Sequence, residues 1–337
     1  MFRLPSQNLK SRSKKPIARI AVLCSGGDAP GMNAAIRAVV RTAVANNLEV
    51  FGISRGYAGL LEGKLAPMNA SSVANIIQRG GTVLKTSRCP EFFHRTGRAQ
   101  AAKVLKAHKI DTLVVIGGDG SFAGAHLLSK EFGINCIGLP GTIDNDIFGS
   151  DDTIGFDTSV NTALEAIDRI RDTASSHDRL FIVEVMGKHA GFIALQVGIC
   201  GGAETILIPE YKVPFGSICK SIDRGIKRGK LSSIIVVAEG YRGGNATEIA
   251  KQFEKKGYSA KVAILGHIQR GGAPSAHDRF LASTLGAYSV HAAIHGLKNV
   301  IVGLENNQIV FVPFTKVISK KKTITKQYLE ISAELAV

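Results

Sequence analysis

Runs of five or six residues with almost no polar side chain recur along this chain and alternate with stretches of helical periodicity. Arg19–Cys24, Leu180–Val185 and residues 49–54, 111–116, 135–139, 204–208, 232–238 and 260–265 are of strand length. A strand that is apolar on both faces needs cover on both, as in a parallel sheet sandwiched between helices. The helical stretches 31–46, 95–108, 121–132, 158–175 and 275–295 supply that cover, and Pro30 is a start signal for the first of them. Such alternation builds βαβ units. The predicted class is α/β, with two doubly wound, Rossmann-like lobes of mainly parallel sheet. A length of 337 residues agrees, at roughly 150 residues per domain.

Charge narrows the function. The chain carries 42 basic and 27 acidic residues, a formal +15. Arg3, Lys10, Arg12, Lys14 and Lys15 fall in residues 1–16, where no acid stands, and that stretch reads as a disordered basic arm. It lacks the apolar run of a signal peptide, while its basic, serine-containing make-up is shared with organellar presequences. Lys320–Lys322 forms a second small cluster, and the remaining surplus is dispersed. No RNA-binding motif with interleaved aromatics appears, so specific nucleic-acid binding is not expected, and the charge fits a protein that handles phosphates. No apolar run approaches the ~18 residues of a membrane span. Cys24, Cys89, Cys136, Cys200 and Cys219 are odd in number and have no metal or redox spacing. Free thiols in the cytoplasm are the expectation. His291 and His295 stand one helical turn apart without the glutamate of a zinc helix, so they read as helix-face histidines.

In doubly wound sheets ligands bind beyond the carboxyl ends of the strands. After the first strand comes Ser25-Gly26-Gly27-Asp28-Ala29-Pro30-Gly31-Met32-Asn33, whose small residues let backbone N–H groups approach a phosphate at a helix N-terminus. A tight strand-to-helix turn would use the same glycines. After residues 111–116 comes Gly117-Gly118-Asp119-Gly120-Ser121. A carboxylate in a phosphate cradle makes sense with a divalent cation between the two charges. Gly118, Gly120 and Ala123 also fit a dinucleotide fingerprint, but the acid that this motif needs at the end of the next strand is missing. The third strand ends in Pro140-Gly141-Thr142-Ile143-Asp144-Asn145-Asp146. Two carboxylates two residues apart can divide the work of base and metal ligand, or simply cap an Asx turn. Arg88, Arg179, Lys188, His189, Lys261, His267 and Arg270 lie on or near strand ends and offer positive charge. No P-loop and no nucleophile elbow exists in the chain.

Together these stretches closely resemble the ATP-dependent phosphofructokinases of bacterial type. The resemblance runs through residues 25–33, 79–82 with 87–92, 116–121, 138–146, 166–177, 183–191 and 265–274, in order. It implies an active site in the cleft between two lobes. Residues 17–155 plus 269–319 would form a larger ATP-binding lobe, and 156–268 plus 320–337 a smaller sugar-phosphate lobe. It further implies that Gly27, Arg88, Cys89, Gly118, Asp119, Gly120 and Ser121 bind ATP, with Asp119 at Mg²⁺. Thr142, Ile143 and Asp144 would meet fructose 6-phosphate. Asp144 would be the base for its 1-hydroxyl, and Asp146 would assist at the metal. Met186, Gly187, Lys188, Glu239, His267, Ile268, Gln269 and Arg270 would complete the sugar-phosphate site. Arg179 and Lys261 would reach it from a neighbouring subunit of a homotetramer. Gly27, Arg88, Thr142, Asp144, Asp146 and Arg179 would be the catalytic set. An effector site for ADP or phosphoenolpyruvate would use Arg37, Arg41, Arg171, Glu204, Arg228 and Lys230. A glycolytic enzyme of the cytoplasm is implied.

The chain departs from the family pattern at Lys188 and Lys261, where arginine is usual, and at Ala70, Ala74 and Asn75 near the effector residues. Lysine keeps the charge but loses the bidentate fork. In the pyrophosphate-dependent branch, positions 120 and 141 usually carry Asp and Lys. Gly120 and Gly141 leave room for a nucleotide, so ATP is the expected donor. Lipid and NAD kinases share a Gly-Gly-Asp-Gly loop but not the downstream motifs.

Overall fold

The computed structural model describes residues 16–174, 180–230 and 232–336. In chain order it contains β1 (Arg19–Cys24), α1 (Met32–Ala45), β2 (Glu49–Ile53), α2 (Gly56–Leu61), β3 (Leu65–Met68), α3 (Arg95–Ala107), β4 (Thr112–Gly117), α4 (Asp119–Phe132) and β5 (Asn135–Pro140). There follow α5 (Phe156–Ala174), β6 (Leu180–Val185), α6 (Phe192–Cys200), β7 (Thr205–Leu207), α7 (Phe215–Lys227), β8 (Ser233–Ala238), α8 (Ala246–Glu254) and β9 (Ala260–Ile264). The chain ends with α9 (Ala276–Ile294), β10 (Val300–Glu305), β11 (Gln308–Pro313), α10 (Phe314–Ser319) and α11 (Lys326–Leu335).

Two compact units divide these elements. The first takes the chain up to Thr142, Ile147–Gly155 and Arg270–Lys322; the second takes Ile143–Asp146, Phe156–Gln269 and the residues from Thr323 onward. Residues 143–146 and Gln269 group with the second unit and 320–322 with the first, the reverse of the sequence expectation for these short stretches.

The first unit is built on a seven-stranded sheet of order β11-β10-β5-β4-β1-β2-β3. Its inner pairs are parallel, as expected, and β1 and β4 are buried almost throughout. Both edges are antiparallel, which was not anticipated. β3 is four residues long and places Pro67 opposite Phe51, and a proline is tolerated only at such an edge. β11 returns from β10 through Asn306 and Asn307, both at positive φ, the geometry of a tight hairpin turn. Phe122 and Phe314, fully buried and stacked 5.8 Å apart, fill the core on one face of this sheet. On α9, Ser275 caps the helix by accepting from the Asp278 N–H, and the buried Asp278 carboxylate accepts from Gly155 N–H at 2.7 Å.

The second unit has a four-stranded, wholly parallel sheet of order β7-β8-β6-β9. Its core centres on Phe253, which is fully buried and packs edge-on against Phe215 and Tyr258. Truncating such a ring to alanine costs about 3–5 kcal/mol. Phe253 is placed by α8, whose start is fixed by a reciprocal cap: Asn245 Oδ1 accepts from Glu248 N–H, and Glu248 Oε2 accepts from Asn245 N–H. β9 is an edge strand with Lys261, Val262 and Ile264 exposed.

Candidate functional site

Strands β1, β4 and β5 are adjacent and parallel, so the three glycine- and acid-bearing loops leave one edge of the first unit's sheet side by side. Short bonds tie the loops together. Ser25 N–H donates to Ile116 O at 2.9 Å, Gly141 N–H to Gly117 O at 3.0 Å, and the Ser121 hydroxyl to Ser25 O at 3.0 Å. Glycine at 117 is required by this approach: a Cβ there would stand 2.5 Å from both Ser25 O and Ser121 Oγ. Tyr57 Oη donates to Ser121 O at 2.7 Å, and Thr86 Oγ1 donates to Gly26 O at 2.7 Å, which draws the segment carrying Arg88 to the same edge. Asn33, 1% exposed, pins that segment's other end by donating to Arg79 O and Gly80 O and accepting from Val83 N–H. Its role was not read from the sequence, although its place inside the 25–33 motif marked it.

Gly26, Gly27, Arg88, Asp119 and Gly120 are exposed, and Gly118 and Cys89 are half-buried. Burial pushes the Cys89 thiol up, which keeps it neutral. Ser121 differs from the expectation: it is 4% exposed, its hydroxyl is spent on Ser25 and its N–H on Gly118 O, so its contribution is to join two loops. Arg270 also differs. Its guanidinium lies over Gly27, where a Cβ would come within 1.9 Å of Nη1, and Nη1 stands 3.4 Å from Asp28 O and 3.9 Å from Asp28 Oδ1. Arg270 Nε is buried without a hydrogen-bond partner. An arginine assigned from sequence to the sugar phosphate is thus held in the β1–α1 loop, with donor capacity to spare. Asp28, which had no assigned role, is its nearest carboxylate.

Beyond β5 the loop alternates. Thr142, Asp144 and Asp146 are half-buried, while Gly141, Ile143, Asn145 and Ile147 are buried. Asn145 takes a positive φ of 52°. Ile143 is 1% exposed, so its side chain anchors the loop and only its backbone can face a ligand. The two carboxylates therefore present on the accessible side. Thr142 stands beside the β4 loop, 3.7 Å from where a Gly118 Cβ would be.

In the second unit, residues beyond β6 and β8 meet. Glu239 Oε1 accepts from Lys188 N–H at 2.6 Å, and Lys188 is exposed at a φ of 55°. Gly187, at φ 142°, turns the chain where a Cβ would strike Ala190 O. Gln269 is wholly buried: its Oε1 accepts from Met186 N–H at 2.8 Å and its Nε2 donates to Ser159 Oγ. It therefore supports Met186, itself 7% exposed, and does not face solvent as a ligand group would. His267, Ile268 and Lys261 are exposed. Arg179 lies outside the described residues, as do residues 1–15 of the basic arm.

Of the six expected effector residues, Glu204 and Lys230 form an ion pair, and Glu204 Oε2 accepts from Ile234 N–H. Arg171 donates to the carbonyls of Gly201 and Gly202, just before Glu204, and Arg228 is exposed after α7. Arg37 and Arg41 stand one turn apart on α1 of the first unit. All five cysteines are free. No helix among the described residues is long and apolar enough to cross a membrane.

Comparison with known proteins bears on this arrangement. The Phosphofructokinase family model matches residues 19–293. The chain belongs to the phosphofructokinase family. It is 54% identical over 319 residues to the ATP-dependent 6-phosphofructokinase 1 of Thermus thermophilus, covering 94% of this chain and 99% of that protein. It is 52% identical to the ATP-dependent 6-phosphofructokinase of Bacillus subtilis, covering 95% of this chain and 99% of that one. The solved phosphofructokinase of Saccharomyces cerevisiae superposes with a TM-score of 0.86 at 37% identity over 95% of this chain. The chain spans about half of that yeast subunit, 48%. The family resemblance and the mainly parallel α/β fold expected from the sequence are thus both borne out.

Proposed function

We propose that this protein acts as an ATP-dependent 6-phosphofructokinase of glycolysis, transferring the γ-phosphoryl group of ATP to the 1-hydroxyl of fructose 6-phosphate. The observation that carries the reading is the opening of α4: Asp119 and Gly120 stand exposed at the end of β4, between the β1 and β5 loops, in a chain more than half identical to curated kinases of that name.

The donor set lies on the first unit. Backbone amides around Gly27 and Gly118–Gly120 and the positive end of α4 would hold phosphates, with Arg88 and Arg270 supplying charge. Asp119 would hold Mg²⁺ together with the nucleotide's phosphates, and Asp146 would help hold it. That ion, when bound, neutralises charge on the β- and γ-phosphates. The acceptor set is Thr142, Asp144, Met186, Gly187, Lys188, Glu239 and His267, with Arg179 and Lys261 contributed by a neighbouring chain of a homotetramer. As the sugar O1–P bond forms and the bond from phosphorus to the β,γ-bridging oxygen breaks, Asp144 accepts the hydroxyl proton. Positioning and charge stabilisation carry the rest. The Glu204–Lys230 pair, with Arg171 bonded to the Gly201 and Gly202 carbonyls and Arg228 exposed two residues before Lys230, supports an effector site for ADP or phosphoenolpyruvate. The free thiols support a cytoplasmic setting.

A coupled assay with fructose 6-phosphate, offering ATP and pyrophosphate separately, tests the reading. Turnover with ATP is expected; turnover with pyrophosphate alone would overturn it.

A further inference from the structure

Asn33 sits in the first turn of α1, buried among Met32, Ala34 and Ala35, and its side chain bonds a single stretch of chain. Nδ2 donates to Arg79 O at 3.0 Å and to Gly80 O at 3.1 Å, and Oδ1 accepts from Val83 N–H at 2.7 Å. That stretch cannot hold its own shape. From Asn69 to Cys89 it forms neither helix nor strand. A connection of that length has no ladder to satisfy its backbone, so neighbouring groups decide its course. Thr82 Oγ1 donates to Cys24 Sγ at 3.1 Å, and Arg55 N–H donates to Leu84 O at 2.8 Å. Gly80 is wedged on its other side against a second backbone: a Cβ there would stand 2.3 Å from Gly272 O.

Two arginines depend on this stretch. Arg88 follows Val83 by five residues, and Thr86 between them donates to Gly26 O. Arg270 precedes Gly272 by two residues, and its guanidinium lies over Gly27. The corner that Asn33 holds is thus tied forward to Arg88 and sideways to the chain that carries Arg270. We infer that Asn33 is a positioning residue of the donor site, fixing the spacing of Arg88 and Arg270 about Gly27 and so the affinity for the nucleotide's phosphates. The inference rests on the ATP-kinase reading above. It also gives residues 25–33 two tasks: the glycines open the cradle, and the asparagine at the end of the run places the side chains that complete it. Asparagine suits the second task because one short, neutral side chain supplies two donors and an acceptor; an ionised aspartate of the same shape donates nothing.

Asn33→Asp is the test, with steady-state kinetics and a thermal scan. KM for ATP should rise roughly tenfold, the worth of one or two buried hydrogen bonds, while KM for fructose 6-phosphate moves by less than about twofold. An unchanged KM for ATP overturns the inference, and so does an equal rise in both constants, which is what a general loosening of the unit would give. A double-mutant cycle with Arg88→Ala separates placement from packing. With the placed arginine gone, Asn33→Asp should cost markedly less ADP affinity by calorimetry; the same fold-loss in both backgrounds refutes the assignment. If the Asn33→Asp chain does not fold, Gly80→Ala displaces the same corner from an exposed position. Its KM for ATP should rise without that for fructose 6-phosphate, and a wild-type value overturns the inference. Wild-type protein that turns over no ATP would strike the functional reading itself, whereas ATP turnover with an unaltered Asn33→Asp protein strikes this inference alone.

Discussion

Gly120 and Gly141 make one sequence argument about the phosphoryl donor, yet they occupy different physical situations. A Cβ at 120 meets nothing within 4 Å, and the residue's φ is not in the left-handed region. A Cβ at 141 would come 2.8 Å from Ile116 Cγ2 and 3.2 Å from Met32 Cε, both fully buried side chains. Gly120→Ala should therefore raise stability by about 0.5 kcal/mol, a fraction of the full helical penalty for glycine. Gly141→Ala should lower it by about 1–3 kcal/mol through overpacking. At roughly 2–4 °C per kcal/mol, thermal scans should move in opposite directions. Gly120→Asp adds the donor test. A phosphate cradled by the amides of this turn would lie ~5 Å from the new carboxylate, where two unit charges repel by about 3 kcal/mol at an effective dielectric near 20. Exposure screens part of this, and a tenfold rise in KM for ATP needs only about 1.4 kcal/mol. The assay is steady-state kinetics with ATP and fructose 6-phosphate varied separately, alongside a thermal scan of each variant. A Gly120→Asp protein as stable as wild type with an unchanged KM for ATP would show that the donor's phosphates lie elsewhere.

Asp144→Asn should cut kcat by about 10²–10⁴-fold while calorimetry still finds nucleotide binding; a kcat within about a factor of two of wild type removes Asp144 from the role of base. Chains carrying Asp144→Asn mixed with chains carrying Arg179→Ala should regain activity that neither parent has, because some hybrid sites receive a good base and a good arginine; mass-verified hybrids as dead as the parents would refute shared sites. A disulfide reagent at pH 8 should label exposed Cys200 quickly and leave Cys24 and Cys136 unlabelled until the chain unfolds, since burial pushes the Cys24 thiol up to about 12 and Cys136 higher still. ATP should slow whatever labelling Cys89 shows, and indifference to ATP would separate that segment from the nucleotide.

The strands buried on both faces were legible because uniform apolarity admits few other readings: β1 and β6 begin and end at the predicted residues. The edges were not. Leu-Ala-Pro-Met is short and broken by a proline, the β10 and β11 runs, although apolar, join through Asn306 and Asn307 with no glycine to signal the hairpin, and α2 is six residues with two glycines. Spacing alone marked the β1, β4 and β5 loops, and the sheet order places their roots side by side. What sequence could not resolve was direction. Ile143 sits between Thr142 and Asp144 yet faces the core, and Gln269 adjoins Arg270 yet turns inward to hold Met186. Arg270 itself is aimed at Gly27, a residue 243 positions earlier, and no local pattern records that pairing.

The order of synthesis gives the first unit's sheet an unusual history. β5 is complete at Pro140, but its outer neighbour β10 begins at Val300. At 5–20 residues per second, a ribosome takes roughly 8–30 s to make the 159 residues between them. Throughout that interval β5, a strand buried along almost its whole length in the finished protein, has one side unpaired. The second unit's four strands all emerge within the same window, so its sheet can form before the first one closes, while its α11 follows only after β11. The nascent chain is thus most prone to aggregation between the synthesis of β5 and that of β10, and the strand that ends the hazard is made only after the whole of the second unit's sheet.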